Sequence, residues 1–227
     1  MRIKVARGAY MILYPGLVSG YDAVSLAIRL GDSIVMIDSG SGLPASNMQL
    51  INGLIEAGLN PRSVEWLINT HAHIHNAGGD RWVKDMLHVK VAAHTPDSRI
   101  IEEGDPKASG AERIGLTLKP TPVTLHVEGD QELEVSGATV QLLHTPGHTP
   151  GSMSIIIDLD QRLAAVGDAL GSLSKEWKSS EDQWWHSLQR LKETRPQVLC
   201  TSVRCYTGEA ARDVLRRAEE EGPIWID

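Results

Sequence analysis

Three histidines stand within five residues in Thr70-His71-Ala72-His73-Ile74-His75-Asn76, directly after the apolar run Val64 to Asn69. Buried imidazoles need hydrogen-bond partners, so such a cluster is a poor way to fill a core. Neutral imidazole is, however, a good ligand for zinc, iron, copper and nickel. Residues two apart at an extended strand end point the same way, so His71 and His73 can face one ion. His148 lies in Thr145-Pro146-Gly147-His148-Thr149-Pro150-Gly151-Ser152. There Pro146 fixes the backbone and the flanking glycines permit tight geometry, so a stiff turn presents the ring as a third ligand. Asp168 follows the apolar run Arg162 to Val166, where a carboxylate is costly unless it meets a cation or caps a helix.

Elements must carry these residues to one place. Alternating apolar stretches predict strands at Tyr10 to Leu17, Ala23 to Leu30 and Ser33 to Asp38, with Gly31-Asp32 as a tight hairpin. Met48, Ile51, Leu54 and Ile55 recur at helical spacing over Ala45 to Ala57, ahead of Gly58. Val64 to Asn69 is a strand, Asp80 to Leu87 a short helix opened by an acidic cap, and Val89 to Ala93 another strand. Glu102 to Pro122, rich in Gly and Pro, separates two halves of similar grammar. The second half offers strands at Val123 to Val127, Glu132 to Val135, Thr139 to His144, Ser152 to Asp158 and Arg162 to Val166. A helix over Asp182 to Lys192, a strand at Gln197 to Thr201 and a last helix with Ala210, Val214, Leu215 and Ala218 inward complete it. The expected fold is α/β, two sheets packed together with helices outside in an αββα sandwich, forming one domain over residues 1–227. The short segments ending these strands then gather on one rim, where α/β folds favour ligands.

These segments, in this order, resemble the metallo-β-lactamase-fold superfamily of metal-dependent hydrolases. The resemblance covers essentially the whole chain and is carried by Ile37-Asp38-Ser39-Gly40, Thr70-His71-Ala72-His73, the Thr145 to Ser152 turn and Gly167-Asp168. It implies His71, His73 and His148 as ligands of a first metal site. It implies Asp168 as a carboxylate able to bridge toward a second ion, and Asp38 as a brace for the histidine loop. Where the family reads His-x-His-x-Asp-His, this chain has His75 and Asn76 in the last two places. Where the family has Gly-His-Gly near the carboxyl terminus, this chain has Thr201-Ser202-Val203-Arg204-Cys205. The second site has thus lost its usual ligand types, with His75 the one replacement on offer, as a metal ligand, a general base or an outer donor. Asn76 at most lines the site, and Cys205 is a soft donor or a small buried hydrophobe.

Three histidines and a water around one zinc ion already form a complete catalytic design, because the ion lowers the pKa of its water to about 7. The expected activity is attack of metal-bound hydroxide on an ester, thioester, lactone or amide of a small molecule, with one ion favoured over two and with His75 and Asp168 as catalytic groups. Two other readings stand. His71, His148 and Asp168 match the two-histidine, one-carboxylate set of non-haem iron, which implies sulfur oxidation in this superfamily. A degenerate, non-catalytic metal- or ligand-binding protein is the third.

Composition narrows the partners. The formal charge is −7 over 227 residues, which disfavours nucleic acid. Arg212, Arg216 and Arg217 are interleaved with Asp213 and Glu219 to Glu221 and read as a solvated helix face. The amino terminus, Met1 to Val5, precedes no long apolar run, and no segment has the length of a membrane span. Cys200 and Cys205, five apart, suggest no disulfide framework and hence a reducing, cytoplasmic setting. Trp177, Trp184 and Trp185 follow Asp168; at least one belongs to the core, and another to the pocket mouth or a homodimer surface.

Overall fold

A computed structural model describes residues 3–227. Met1 and Arg2, which open the stretch read above for a leader, lie outside the described residues. Two sheets face each other. The first has seven strands in chain order: β1 (Ile3–Ala6), β2 (Ala9–Leu13), β3 (Ser25–Leu30), β4 (Ser33–Ile37), β5 (Val64–Ile68), β6 (Lys90–His94) and β7 (Leu125–Val127). Strands β1 to β4 run antiparallel, and β4 to β7 run parallel. The second sheet has six strands: β8 (Gln131–Val135), β9 (Ala138–His144), β10 (Met153–Asp158), β11 (Arg162–Gly167), β12 (Val198–Thr201) and β13 (Cys205–Thr207). Only β11 and β12 are parallel there.

The sandwich follows from strands that are apolar on both faces. Alternate residues of a strand point to opposite sides. In β3, Leu26 and Ile28 enter the layer between the sheets, while Ala27 turns outward to the helices. In β10, Ile155 and Ile157 meet that same inner layer, and Ile156 faces the opposite flank. The outer face of the first sheet is covered by α1 (Pro44–Glu56), α2 (Ile74–Ala77), α3 (Asp80–Leu87) and α4 (Thr95–Glu103). The outer face of the second is covered by α5 (Glu181–Thr194) and α6 (Glu209–Glu221). This is the expected αββα arrangement.

Several local expectations are corrected. Strand β7 belongs to the first sheet, parallel to β6, so the two halves meet after it rather than within Glu102 to Pro122. Asp80 is the first residue of α3 and makes no cap bond. Its carboxylate turns inward instead, accepting from Ser39 Oγ at 2.6 Å and Asn69 Nδ2 at 2.5 Å. Cys200 and Cys205 are joined by a disulfide. They are five apart in sequence, but the β12–β13 hairpin sets them directly opposite each other. Neither sulfur is left to ligate, and the inference of a reducing compartment from unpaired cysteines loses its ground. Among the described residues no helix is long and apolar enough to cross a membrane.

Helix α1 lies so close to β2 that Gly53 has no room for a side chain. A Cβ there would stand 2.7 Å from Ile12 Cβ and 2.8 Å from its carbonyl oxygen. Helix propensity alone would make G53A stabilising by about 0.5–1 kcal/mol. Overpacking wins, since forcing a methyl into a filled core costs about 1–3 kcal/mol. G53A is therefore expected to lower the denaturant midpoint; an unchanged or raised midpoint would show that α1 lifts freely.

Candidate metal centre

Each ligand candidate leaves the end of a strand. Strand β5 runs into Asn69, Thr70 and His71, and α2 begins just after His73. His148 tips the hairpin between β9 and β10, and Asp168 follows β11. His71, His73, His148 and Asp168 bring one ligand atom each to within 4.8 Å of all the others. His73 Nδ1 stands 3.1 Å from His71 Nε2 and 3.0 Å from His148 Nε2. Asp168 Oδ2 lies 3.6 Å from His71 Nε2 and 3.8 Å from His148 Nε2. The rings of the three histidines are nearly perpendicular to one another, with centroids 4.7–5.0 Å apart.

The outer nitrogens decide what the inner ones present. Thr70 donates its hydroxyl to Asp38 Oδ2 at 2.8 Å. It can therefore only accept from His71 Nδ1, 3.1 Å away, which leaves a lone pair on His71 Nε2. His148 Nδ1 is 2.6 Å from the carbonyl oxygen of Ser172, so it too carries its proton outward and its Nε2 lone pair inward. One proton on His73 Nδ1 cannot satisfy both lone pairs at full strength, and a cation satisfies all three nitrogens together. Zinc with nitrogens at 2.0–2.1 Å sets them roughly 3.3 Å apart in a tetrahedron, within a few tenths of an ångström of the spacing found. Burial pushes His71 down to about 3, helped by the neighbouring His148. It also holds His73 well below its usual range. Both rings are thus kept neutral, as a metal requires. The donor set fits a metal.

The surrounding loops are braced by buried carboxylates. Asp38 accepts from Thr70 N at 2.8 Å, from the Thr70 hydroxyl, and from Asn76 Nδ2 at 2.7 Å. Asp97, which no motif singles out, accepts from Ala72 N at 2.7 Å and Thr149 Oγ1 at 3.0 Å. It therefore ties the His71–His73 segment to the His148 turn. Gly147 lets that turn approach α5: a Cβ there would lie 2.5 Å from Trp184 Cα, and its φ is +140°. Trp177, placed only loosely by sequence, packs its ring 4.5 Å from that of His73 and 5.0 Å from that of His148. Of Trp177, Trp184 and Trp185, Trp184 is the one buried in the core.

The remaining candidates lie apart from this cluster. His75 is half-buried; its Nδ1 is 2.7 Å from the Tyr21 carbonyl oxygen, and its ring stacks on that of Tyr21. Asn76 is buried and gives its amide to Asp38 and, at 3.0 Å, to Ser202 Oγ. Ser202 stands in the segment where the family carries Gly-His-Gly. His144 bonds the Pro150 carbonyl at 3.0 Å, a local contact.

With this geometry in place, comparison with known proteins defines the class. The sequence profile of the metallo-beta-lactamase superfamily matches residues 19–203, and the chain belongs to that superfamily. Its fold is similar to a metallo-β-lactamase of Cronobacter sakazakii (TM-score 0.79, 18% identity, 97% of this chain and 96% of that one). It is likewise similar to the metallo-β-lactamase GOB-18 of Elizabethkingia meningoseptica (TM-score 0.76, 18% identity, 97% and 90%). Among relatives, a Bacillus subtilis (strain 168) protein named probable metallo-hydrolase YqgX is 31% identical over 56% of this chain and 58% of its own. A hydroxyacylglutathione hydrolase of Hyphomonas neptunium is 25% identical over 77% and 63%. An N-acyl homoserine lactonase of Bacillus sp. is 30% identical over 64% and 56%. The matches thus span under two thirds of each of these relatives' lengths.

The buried carboxylates also set a pH dependence. Burial raises Asp38 to about 7 and Asp80 to about 8, outweighing the donors that each accepts from. A carboxyl group with a raised folded pKa contributes stability that is fully present below its unfolded value of 3.8 and is lost as pH climbs through the folded value. His71 and His73, with lowered values, act in the opposite sense, but only below 6.5. Between about pH 6.5 and 8 the metal-free chain should therefore lose stability as pH rises, and D80N should flatten that slope. Denaturant midpoints at the two pH values test this; a parental slope that D80N leaves intact would refute it.

Proposed function

We propose that this chain is a metal-dependent hydrolase that holds one zinc ion through His71, His73 and His148, with Asp168 beside it. It opens an ester, thioester, lactone or amide bond in a small molecule. The supporting observation is the inward convergence of three imidazole nitrogens, with His73 Nδ1 3.0–3.1 Å from the other two, which have tautomers set by outside partners. When bound, zinc at such a site polarises a carbonyl and lowers the pKa of a coordinated water.

The chain's own groups supply the rest. Asp168, with its carboxylate about 29% exposed, is placed to orient a water and to accept its proton. His75 directs Nδ1 to the Tyr21 carbonyl, which leaves Nε2 as the atom able to take up and return a proton. Trp177 covers His73 and His148 and limits water on that side. A single ion is favoured because the Asn76 amide is committed to Asp38 and Ser202. The iron reading, built on His71, His148 and Asp168, leaves His73 out although its Nδ1 stands 3.0–3.1 Å from the Nε2 atoms of both other rings.

Metal analysis of the purified chain should find about one zinc, falling below about 0.2 in H148A together with a loss of at least ~10³-fold in esterase or lactonase rate. Activity that survives H148A would end this reading, and iron with oxygen consumption would replace it. H75Q should keep its zinc and lose about 10²-fold in kcat. Loss of metal from H75Q would instead make His75 a ligand.

A further inference from the structure

Beside Asp168 opens a cavity of about 500 Å³, bounded by the loop after β11, the turn between β12 and β13, one face of α6 and the segment that follows α6. Leu170, Val203, Tyr206, Val214, Ile224 and Ile226 make its lining mainly apolar. From α6 come Val214, Arg217, Ala218 and Glu221, the three-, four- and seven-residue spacing of a single helix face. Arg217, read from sequence as part of a solvated surface, therefore belongs with Glu221 to the polar rim of this cavity.

The segment after α6 is the informative wall. Leu173 N donates to the Ile224 carbonyl at 2.8 Å, and Ile226 N donates to the Leu173 carbonyl at 3.1 Å. Trp225 Nε1 donates to Glu181 at 3.0 Å, and Asp227 accepts from Ser174 Oγ at 2.5 Å and Lys175 N at 2.8 Å. Five bonds thus fix an extended backbone on which Ile224 and Ile226 share one side. Those two side chains nevertheless remain 68% and 49% exposed. Val203 is 58% exposed, in a turn closed by the Cys200–Cys205 disulfide. A loose tail could fold its isoleucines away from water, but a tethered one cannot. Pinned apolar groups around a concavity are a surface built to be covered.

We propose that this cavity seats the apolar chain of the substrate, an unbranched and uncharged chain of roughly six to ten carbons, as the cavity size allows. The scissile carbonyl then lies at the Asp168 edge. This proposal rests on the hydrolase reading for the identity of the ligand as substrate, but its test does not require turnover.

Octanamide and butyramide, titrated calorimetrically into the zinc-loaded protein, should differ in affinity by at least tenfold in favour of octanamide, since each buried methylene adds about three- to fourfold. The exposed-residue variant I224E/I226E should keep its zinc and lose at least tenfold in octanamide affinity. With p-nitrophenyl esters, the same variant should lower kcat/KM for the octanoate at least tenfold more than for the butanoate. Equal binding of the two amides, or octanamide affinity unchanged by I224E/I226E, overturns the proposal. Chain-length-dependent binding without ester hydrolysis would uphold the cavity and sink the hydrolase reading. Hydrolysis indifferent to chain length would do the reverse.

Discussion

Three imidazole rings converging on one point, with His73 Nδ1 about 3 Å from the Nε2 atoms of His71 and His148, are an arrangement that no loop adopts on its own account. It persists because two of the rings are held from behind, while the third, His73, packs against Trp177. His71 is fixed through Thr70 by Asp38, and His148 by the Ser172 carbonyl. The two chain segments are clasped by Asp97. All of this lies where backbone leaves regular structure yet remains buried, so every exposed amide needs a partner found elsewhere. The sandwich supplies those partners by bringing the ends of β4, β5, β9 and β11 to one rim.

The bracing residues are themselves costly. Asp38, Asp80 and Asp97 are buried carboxylates, and desolvation is the largest influence on each. A like-charged neighbour, Asp168, pushes Asp38 further up. A dication between the histidines and Asp168 would reverse that neighbour's influence. Metal and carboxylates would therefore support each other: an ion would ease the burial of Asp38, and Asp38 through Thr70 orients a ring that could hold it.

Much of this could be read from residue types. Period-two alternation located most strands, and His71, His73, His148 and Asp168 stood out because their chemistry is poorly suited to a core or a plain turn. What escaped depended on contacts distant in sequence. Strand β1 is four residues long and is defined by its pairing with β2. Helix α4 buries only one large apolar side chain, Ile101, too faint a stripe to notice. The disulfide needed a hairpin that only the register of β12 and β13 reveals. Asp97 acts on the His71–His73 segment and the His148 turn through bonds that span 25 or more residues and carries no local signature.

Asn76 shows what a substitution in a metal family can do besides remove a ligand. An imidazole at that place offers one lone pair to an ion, whereas an amide offers two donors. Here one goes to Asp38 and one to Ser202, and Ser202 N in turn donates to the Gly167 carbonyl, next to Asp168. The loop after β5 is thereby joined to the turn after β12 and to the end of β11, the three segments that a second ion would otherwise pull together. The hydrogen bonds do that organising work without a metal. They also fix the turn that carries Val203 against the neighbouring cavity.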